Sequence, residues 1–181
     1  MCSLNDNVLI QDAQIDYKKN WIKKHIDSVR FSYCKAPYFK TYADKFFNIL
    51  SKRFDTISEL NVSIITWIMS ELDIKTKIKM SSEFNASVST EMDSTKTDRL
   101  IYILKKAGAT SYLSGPSAMD YLEVEKFRKA GIALECKIYE YIDYPQLYGI
   151  FEANVSVLDL LFNCGNDAKK YLKSTSNQLI I

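Results

Sequence analysis

Residues 76–140 alternate between short β-prone runs and longer amphipathic stretches that close on glycine, and no other feature limits the fold as strongly. Lys77-Ile78-Lys79-Met80 alternates with period two and predicts a strand. The polar run from Ser81 to Ser94 predicts a loop of about a dozen residues, a length that is usually functional or mobile. Ser94 or Thr95 then caps a helix carrying Leu100, Ile103 and Leu104, and Gly108 stands where a left-handed residue closes it. Ala109 to Leu113 predicts a second strand, Ser114-Gly115-Pro116-Ser117 a turn, Ala118 to Ala130 a helix closed by Gly131, and Ile132 to Tyr139 a third strand. Strand–helix–strand crossovers place their strands parallel. The predicted class is therefore α/β, with a small, mostly parallel, Rossmann-like sheet built as βαβαβ over residues 76–140.

The first half has a different texture. Asn7 to Ile15 predicts one short strand. Trp21, His25, Ser28 and Val29 fall at helical spacing, and Ala36-Pro37 ends that helix because the residue before proline avoids the α region. A second helix is predicted from about Tyr38, with Tyr42, Phe46, Ile49 and Leu50 on one face. A third is predicted from about Ser58, with Ser58 and Asn61 as caps and an apolar stripe of Leu60, Ile64, Ile65, Ile68 and Leu72. This helical half is expected to pack on the sheet. One domain is expected over residues 1–173, with 174–181 as a loose tail.

Composition excludes several classes. Hydrophobic residues are 47% and charged residues 25% of the 181, so the chain has the apolar surface that a disordered chain lacks. Lys+Arg number 24 against 22 Asp+Glu, and a net charge of +2 is too small a basic excess for a nucleic-acid-coating protein. No run approaches the roughly 18 apolar residues of a membrane span. Met1-Cys2-Ser3-Leu4-Asn5-Asp6 lacks the basic flank and apolar core of a secretory signal. Cys2, Cys34, Cys136 and Cys164 form no CxxC pair and no Cys/His cluster. A cytoplasmic setting with reduced thiols and no structural zinc is expected. No GxGxxG, Walker loop, HExxH or GxSxG occurs, and no cofactor is expected.

The turn Ser114-Gly115-Pro116-Ser117 falls at the carboxyl end of a predicted parallel strand, the edge where open α/β sheets bind ligands. Gly115 permits close backbone approach, Ser114 and Ser117 add hydroxyl donors, and the next helix offers free N–H groups to an anion. A serine-capped turn is the commoner use of such a sequence. Upstream, Lys96 and Arg99 share a face near a helix start, where two cations are unfavourable unless something negative binds. A solvated turn with Asp98 pairing locally is the alternative. Tyr144 and Gln146 offer a ring and an amide to a sugar or base, and a proline-bearing turn with packed tyrosines is the plainer alternative. Asp159 sits in an apolar run that Asn163-Cys164-Gly165 ends, so its burial would require a partner. Cys164 reads as a buried inert thiol. His25 is the single histidine, so any Ser-His or Cys-His mechanism would have to use it.

Several of these runs occur together in one order. They are Trp21-Ile22-Lys23-Lys24-His25, Tyr33-Cys34-Lys35-Ala36-Pro37-Tyr38-Phe39, Ser81-Ser82-Glu83, Lys96-Thr97-Asp98-Arg99-Leu100, Tyr112-Leu113-Ser114-Gly115 with Tyr121-Leu122, Tyr144-Pro145-Gln146, and Ser156-Val157-Leu158-Asp159-Leu160-Leu161-Phe162-Asn163-Cys164-Gly165. Their order and spacing over residues 8–173 resemble the WbqC-like family. The resemblance implies a cytoplasmic role in bacterial surface-polysaccharide (O-antigen, lipopolysaccharide) biosynthesis. The implied reaction is acyl or aminoacyl transfer by a transferase acting on a nucleotide-linked amino sugar. On that reading Lys96, Thr97 and Arg99 with Ser114, Gly115 and Ser117 hold phosphate and nucleotide. Tyr144, Gln146 and Asn163 hold substrate, and Glu83 and Asp159 are the candidate general bases with His25 behind them. Members of the family usually carry an additional N-terminal segment rich in Pro, Tyr and Trp, which nothing here matches. A short member of the family is therefore expected, and a non-catalytic binding or assembly module of the same pathway is the alternative. A homodimer or a complex with a sugar-modifying enzyme is the expected association.

Overall fold

A computed structural model describes residues 9–84, 95–172 and 177–181. Among these residues it holds six α-helices: α1 Trp21–Tyr33, α2 Phe39–Ser51, α3 Ile57–Glu71, α4 Lys96–Lys106, α5 Val124–Ala130 and α6 Val157–Cys164. Three strands accompany them: β1 Ser111–Ser114, β2 Ala133–Lys137 and β3 Asn177–Leu179. The class is mixed α/β, as expected. The chain folds as two compact units. The first takes the described residues up to Lys75 together with Ile142–Leu172, and the second takes those of Thr76–Tyr141 together with the C-terminal residues.

The first unit is helical. α2 buries one amphipathic face, Tyr42, Ala43, Phe46, Phe47, Ile49 and Leu50, against α3 and α6. Phe46 stacks on Trp67 of α3 with centroids 5.6 Å apart. Burying side chains of this size is worth about 1.5–3 kcal/mol each, so this face carries a large share of the unit's stability. α3 starts at Thr56 rather than at Ser58 or Asn61. The Thr56 hydroxyl accepts from the Glu59 N–H at 3.2 Å and the Glu59 carboxylate accepts from the Thr56 N–H at 3.2 Å, a reciprocal cap that neither expected residue could complete. The strand expected at 7–15 is, in its described part, a 3-10 turn at Ile10–Asp12 and a single bridge from Gln14 to Thr56. With no partner strand among the described residues of this unit, the segment satisfies isolated backbone groups there.

In the second unit β1 and β2 run parallel, with Ser111 opposite Ala133 and Ser114 opposite Cys136. α5 is the crossover between them, and Gly131 closes it at φ +69°. Leu122, Phe127, Ile132 and Leu134 form the core, with Tyr112 stacked on Phe127 at 5.8 Å. Residues 177–179, expected to be part of a loose tail, form β3, antiparallel on the other side of β2. Lys77–Met80 joins no ladder, because period-two alternation describes half-exposed extended chain but a strand also needs an edge to pair with. The helix expected at 118–130 begins only at Val124, after a 3-10 turn at Pro116–Ala118. The reason lies in α4: the buried Thr97 hydroxyl accepts from the Glu123 N–H at 3.2 Å and donates to the Tyr121 carbonyl at 3.4 Å. Those backbone groups are spent on a side chain, not on a helical turn. Among the described residues no helix is long and apolar enough to cross a membrane.

Candidate functional site

Asp159 stands in the first turn of α6, which Ser156 caps by accepting from the Leu158 N–H at 3.3 Å. A carboxylate suits that positive helix end. The residue is only 7% exposed, and its partners are supplied. The Tyr144 hydroxyl donates to Oδ1 at 2.9 Å and the Gln146 amide donates to the same oxygen at 3.0 Å. Gln146 is anchored in turn, donating to the Glu152 carbonyl at 2.9 Å and accepting from its N–H at 2.8 Å. Asn163, one turn along α6, donates to the Asp159 carbonyl at 2.9 Å and is buried. Three residues expected to bind or act on substrate, Tyr144, Gln146 and Asp159, are thus one hydrogen-bonded cluster, and Asn163 braces the helix beneath it.

Asp159, Gln146 and Glu152 open onto a cleft of about 670 Å3. Small-molecule sites commonly span roughly 300–1,000 Å3. The end of α1 and the turn after it supply another part of the lining, with Phe31, Tyr33, Cys34 and Lys35. Tyr33, Cys34 and Lys35 belong to the Tyr33–Phe39 run of the sequence, and Phe31 lies just before it. Nothing in that run says that it faces Asp159, because the two lie far apart in the chain. Cys34 is an exposed free thiol, whereas Cys164 is free and buried. Burial, and then Asp159 and Asp167, raise the Cys164 thiol, which keeps it in its unreactive form.

Burial, followed by the neighbouring Asp159 carboxylate, pushes the Tyr33 phenol from 10.0 to about 12. Burial also lifts Tyr144 well above its ordinary value, opposed by the Gln146 amide and helped by Asp159. In a spectrophotometric titration these two phenols are expected to ionise above the ordinary phenol range. A phenol raised in the folded state stabilises fully below about pH 10, and that stabilisation is lost as the pH climbs toward 12. Tyr33→Phe and Tyr144→Phe should each flatten the alkaline loss of stability. An unaltered profile in both variants would remove the phenols from the cluster.

His25 and Glu83 are placed elsewhere. His25 is exposed, its Nδ1–H donating to the Trp21 carbonyl at 2.8 Å, and it does not line the cleft. Glu83 belongs to the second unit, where its carboxylate accepts from the Met80 N–H at 2.7 Å and caps the 3-10 turn Ser81–Phe84. Of the three residues expected in catalysis, Asp159 is the one that lines this cleft. Among the described residues no group of three or more His, Cys, Asp or Glu side chains is placed to hold a metal ion.

The other expected residues gather at one edge of the second unit's sheet. Because β1 and β2 are parallel and Ser114 lies opposite Cys136, the turn at 115–117 and the segment at 138–141 leave the same carboxyl edge. α5 runs back from that edge, and the start of α4 is tied to the start of α5. Lys126 Nζ reaches Asp98 at 2.7 Å and Glu123 at 3.0 Å, and the Thr95 hydroxyl donates to Glu123 at 2.7 Å. The hydrogen bond from Lys126 is the main reason the Asp98 carboxyl lies below its usual range. Lys96 and Arg99 therefore stand near this edge. Both are exposed, and among the described residues neither is paired with a carboxylate. Lys96 Nζ lies 5.3 Å over the Tyr121 ring. Ser114 is buried at the edge and Ser117 is exposed in the turn. Gly115, at φ −90°, adopts a conformation open to any residue, and a Cβ there would meet only the Tyr139 hydroxyl, at 3.8 Å. Gly115→Ala should therefore keep the melting temperature within about 3 °C of wild type or raise it slightly, since restricting the unfolded chain is worth about 0.4–1 kcal/mol. A large loss of stability would show that the turn is packed more closely than this.

Comparison with known proteins agrees with the arrangement of these runs. The sequence profile of the WbqC-like protein family matches residues 3–171. The chain is also 37% identical over 166 residues to the uncharacterized protein Rv1507c of Mycobacterium tuberculosis (strain ATCC 25618 / H37Rv), covering 91% of this chain and 69% of that protein. No solved structure matches. A profile that runs through both units, and a relative that aligns across nearly the whole chain, place this protein in the WbqC-like family.

Proposed function

We propose that this protein is a transferase of bacterial surface-polysaccharide biosynthesis that moves an acyl or aminoacyl group onto a nucleotide-activated amino sugar. The observation that carries the reading is the Asp159 cluster. A buried carboxylate held by a phenol and a carboxamide opens onto a cleft of small-molecule size. Its rim offers Phe31 and Tyr148, 87% and 63% exposed. Carboxylates and amides hold sugar hydroxyl and amino groups, and aromatic rings cover the apolar face of a pyranose. In the proposed step the sugar amine attacks the acyl carbon, a C–N bond forms, and the bond from the acyl carbon to its leaving group breaks. The amine proton passes to Asp159. The second unit has a separate role, in which Lys96 and Arg99 neutralise phosphate and the Ser114–Ser117 turn receives it.

A second reading is favoured by one observation. His25 does not line the cleft and Glu83 lies in the other unit, so the three expected catalytic side chains are not gathered in it. On that reading the chain is a non-catalytic binding or assembly module of the same pathway.

The test is thermal stabilisation by a panel of nucleotide sugars. A ligand at about 100 times its Kd stabilises by about 2.7 kcal/mol, which is about 5–10 °C in a chain of this size. Lys96→Ala and Arg99→Ala should each reduce the shift. If both variants bind as wild type does, the phosphate role is wrong. Binding without turnover for any acyl donor would select the module.

A further inference from the structure

Tyr139 and Tyr141 follow β2 at the carboxyl edge of the second unit's sheet, and they are 57% and 56% exposed. Their side chains stand side by side just beyond the end of the strand. Their rings are near-parallel, 14° between planes, with centroids 6.3 Å apart. The Tyr139 hydroxyl lies against the Ser114–Ser117 turn, 3.8 Å from where a Cβ of Gly115 would stand. The other two exposed tyrosines of this unit, Tyr102 and Tyr121, differ because Lys106 and Lys96 already cover their rings. Among the described residues no cation lies over Tyr139 or Tyr141, and neither belongs to the unit's apolar core. Two large rings thus stay in water beside the turn that the nucleotide reading assigns to phosphate.

We infer that Tyr139 and Tyr141 form the stacking platform for the base of a nucleoside diphosphate whose phosphates lie at the Ser114–Ser117 turn. The inference rests on the phosphate reading of that same edge. Every base has a π-face, so an aromatic platform binds bases with little regard to identity. The edge therefore recognises two chemistries side by side, a planar ring and a phosphate, and that combination defines a nucleotide rather than a free sugar or an inorganic anion.

The experiment is calorimetric titration of the full chain with inorganic pyrophosphate, uridine diphosphate, adenosine diphosphate, and the nucleosides uridine and adenosine. One stacked base is worth a factor of roughly 5–150 in Kd. The nucleoside diphosphates are expected to bind more tightly than pyrophosphate by a factor in that range. Tyr139→Ala and Tyr141→Ala, at exposed positions, should bring nucleoside diphosphate binding down toward the pyrophosphate level and leave pyrophosphate itself unchanged. Tyr139→Phe should retain the advantage. Equal Kd for pyrophosphate and the nucleoside diphosphates would overturn the platform and leave the phosphate reading standing. A nucleoside preference that survives both alanine variants would also overturn it. Nucleosides that bind through the tyrosines while pyrophosphate does not bind would keep a base platform and sink the phosphate reading. No binding by any of the five compounds would overturn both.

Discussion

Gly165→Ala is expected to lower the melting temperature by about 6–12 °C. Gly165 follows α6 at φ +56° and ψ −130°, a region essentially closed to residues with a Cβ. Holding a side chain there costs about 1–3 kcal/mol. The added Cβ would also fall 2.5 to 2.7 Å from three carbons of the Tyr38 ring, inside any tolerable contact. Overpacking of that kind costs about 1–3 kcal/mol. Together the two ranges span about 2–6 kcal/mol; the Tyr38 ring is exposed and can give, so about 3 kcal/mol is expected, which yields the stated range at about 2–4 °C per kcal/mol. The two effects can be separated, because Tyr38→Ala in the Gly165→Ala background removes the overlap and leaves the backbone strain. Partial recovery in the double variant is the expected result. A Gly165→Ala protein with the wild-type melting temperature would mean that the turn after α6 does not adopt this conformation. The consequence reaches the cleft, because the last turn of α6 is fastened to the segment between α1 and α2: the Tyr38 N–H donates to the Phe162 carbonyl at 2.9 Å. That bond joins the helix carrying Asp159 to the segment carrying Tyr33 and Cys34.

On the proposed reading, Asp159→Asn is expected to reduce acyl transfer by a factor of about 10²–10⁴ while the protein stays folded, the range for loss of a positioned general base. The amide is nearly isosteric and keeps an oxygen to accept from Tyr144 and Gln146, so the nucleotide binding proposed for the second unit should not change. Asp159→Ala goes further. It leaves the half-buried Tyr144 hydroxyl without its acceptor and takes one partner from Gln146, at about 1–3 kcal/mol of stability. Comparing the two variants separates chemistry from support. Wild-type turnover in Asp159→Asn would make the carboxylate a brace for Tyr144 and Gln146 and would favour the binding module.

Much of the local structure was legible in the chain. α1 stops at Tyr33, shortly before Ala36-Pro37, the apolar spacing of Tyr42, Phe46, Ile49 and Leu50 marks the buried face of α2, Thr95 caps α4, and Gly131 closes α5. The parallel pair β1 and β2 with its crossover follows from the same punctuation. Each of these rests on a preference of a few neighbouring residues, so a single sequence carries it. The errors share a different cause. Lys77–Met80 has the alternation of a strand but no partner, Asn177–Leu179 looked like tail but found an open edge of β2, and residues 119–123 lost their helix to the hydroxyl of Thr97 on α4.

The same division holds for the site. From sequence came the residue types: a carboxylate in an apolar helix that must find partners, an amide and a phenol thirteen and fifteen positions before it, and cations at a helix start. Only the tertiary structure decided which of them meet. It joined Asp159 to Tyr144 and Gln146, set Tyr33, Cys34 and Lys35 into the lining of the same cleft, left His25 outside it, and put Glu83 in the other unit. The physical reason is that caps, glycine turns and periodicity are encoded within a few residues, whereas a buried polar cluster exists only where packing removes water from groups distant in the chain.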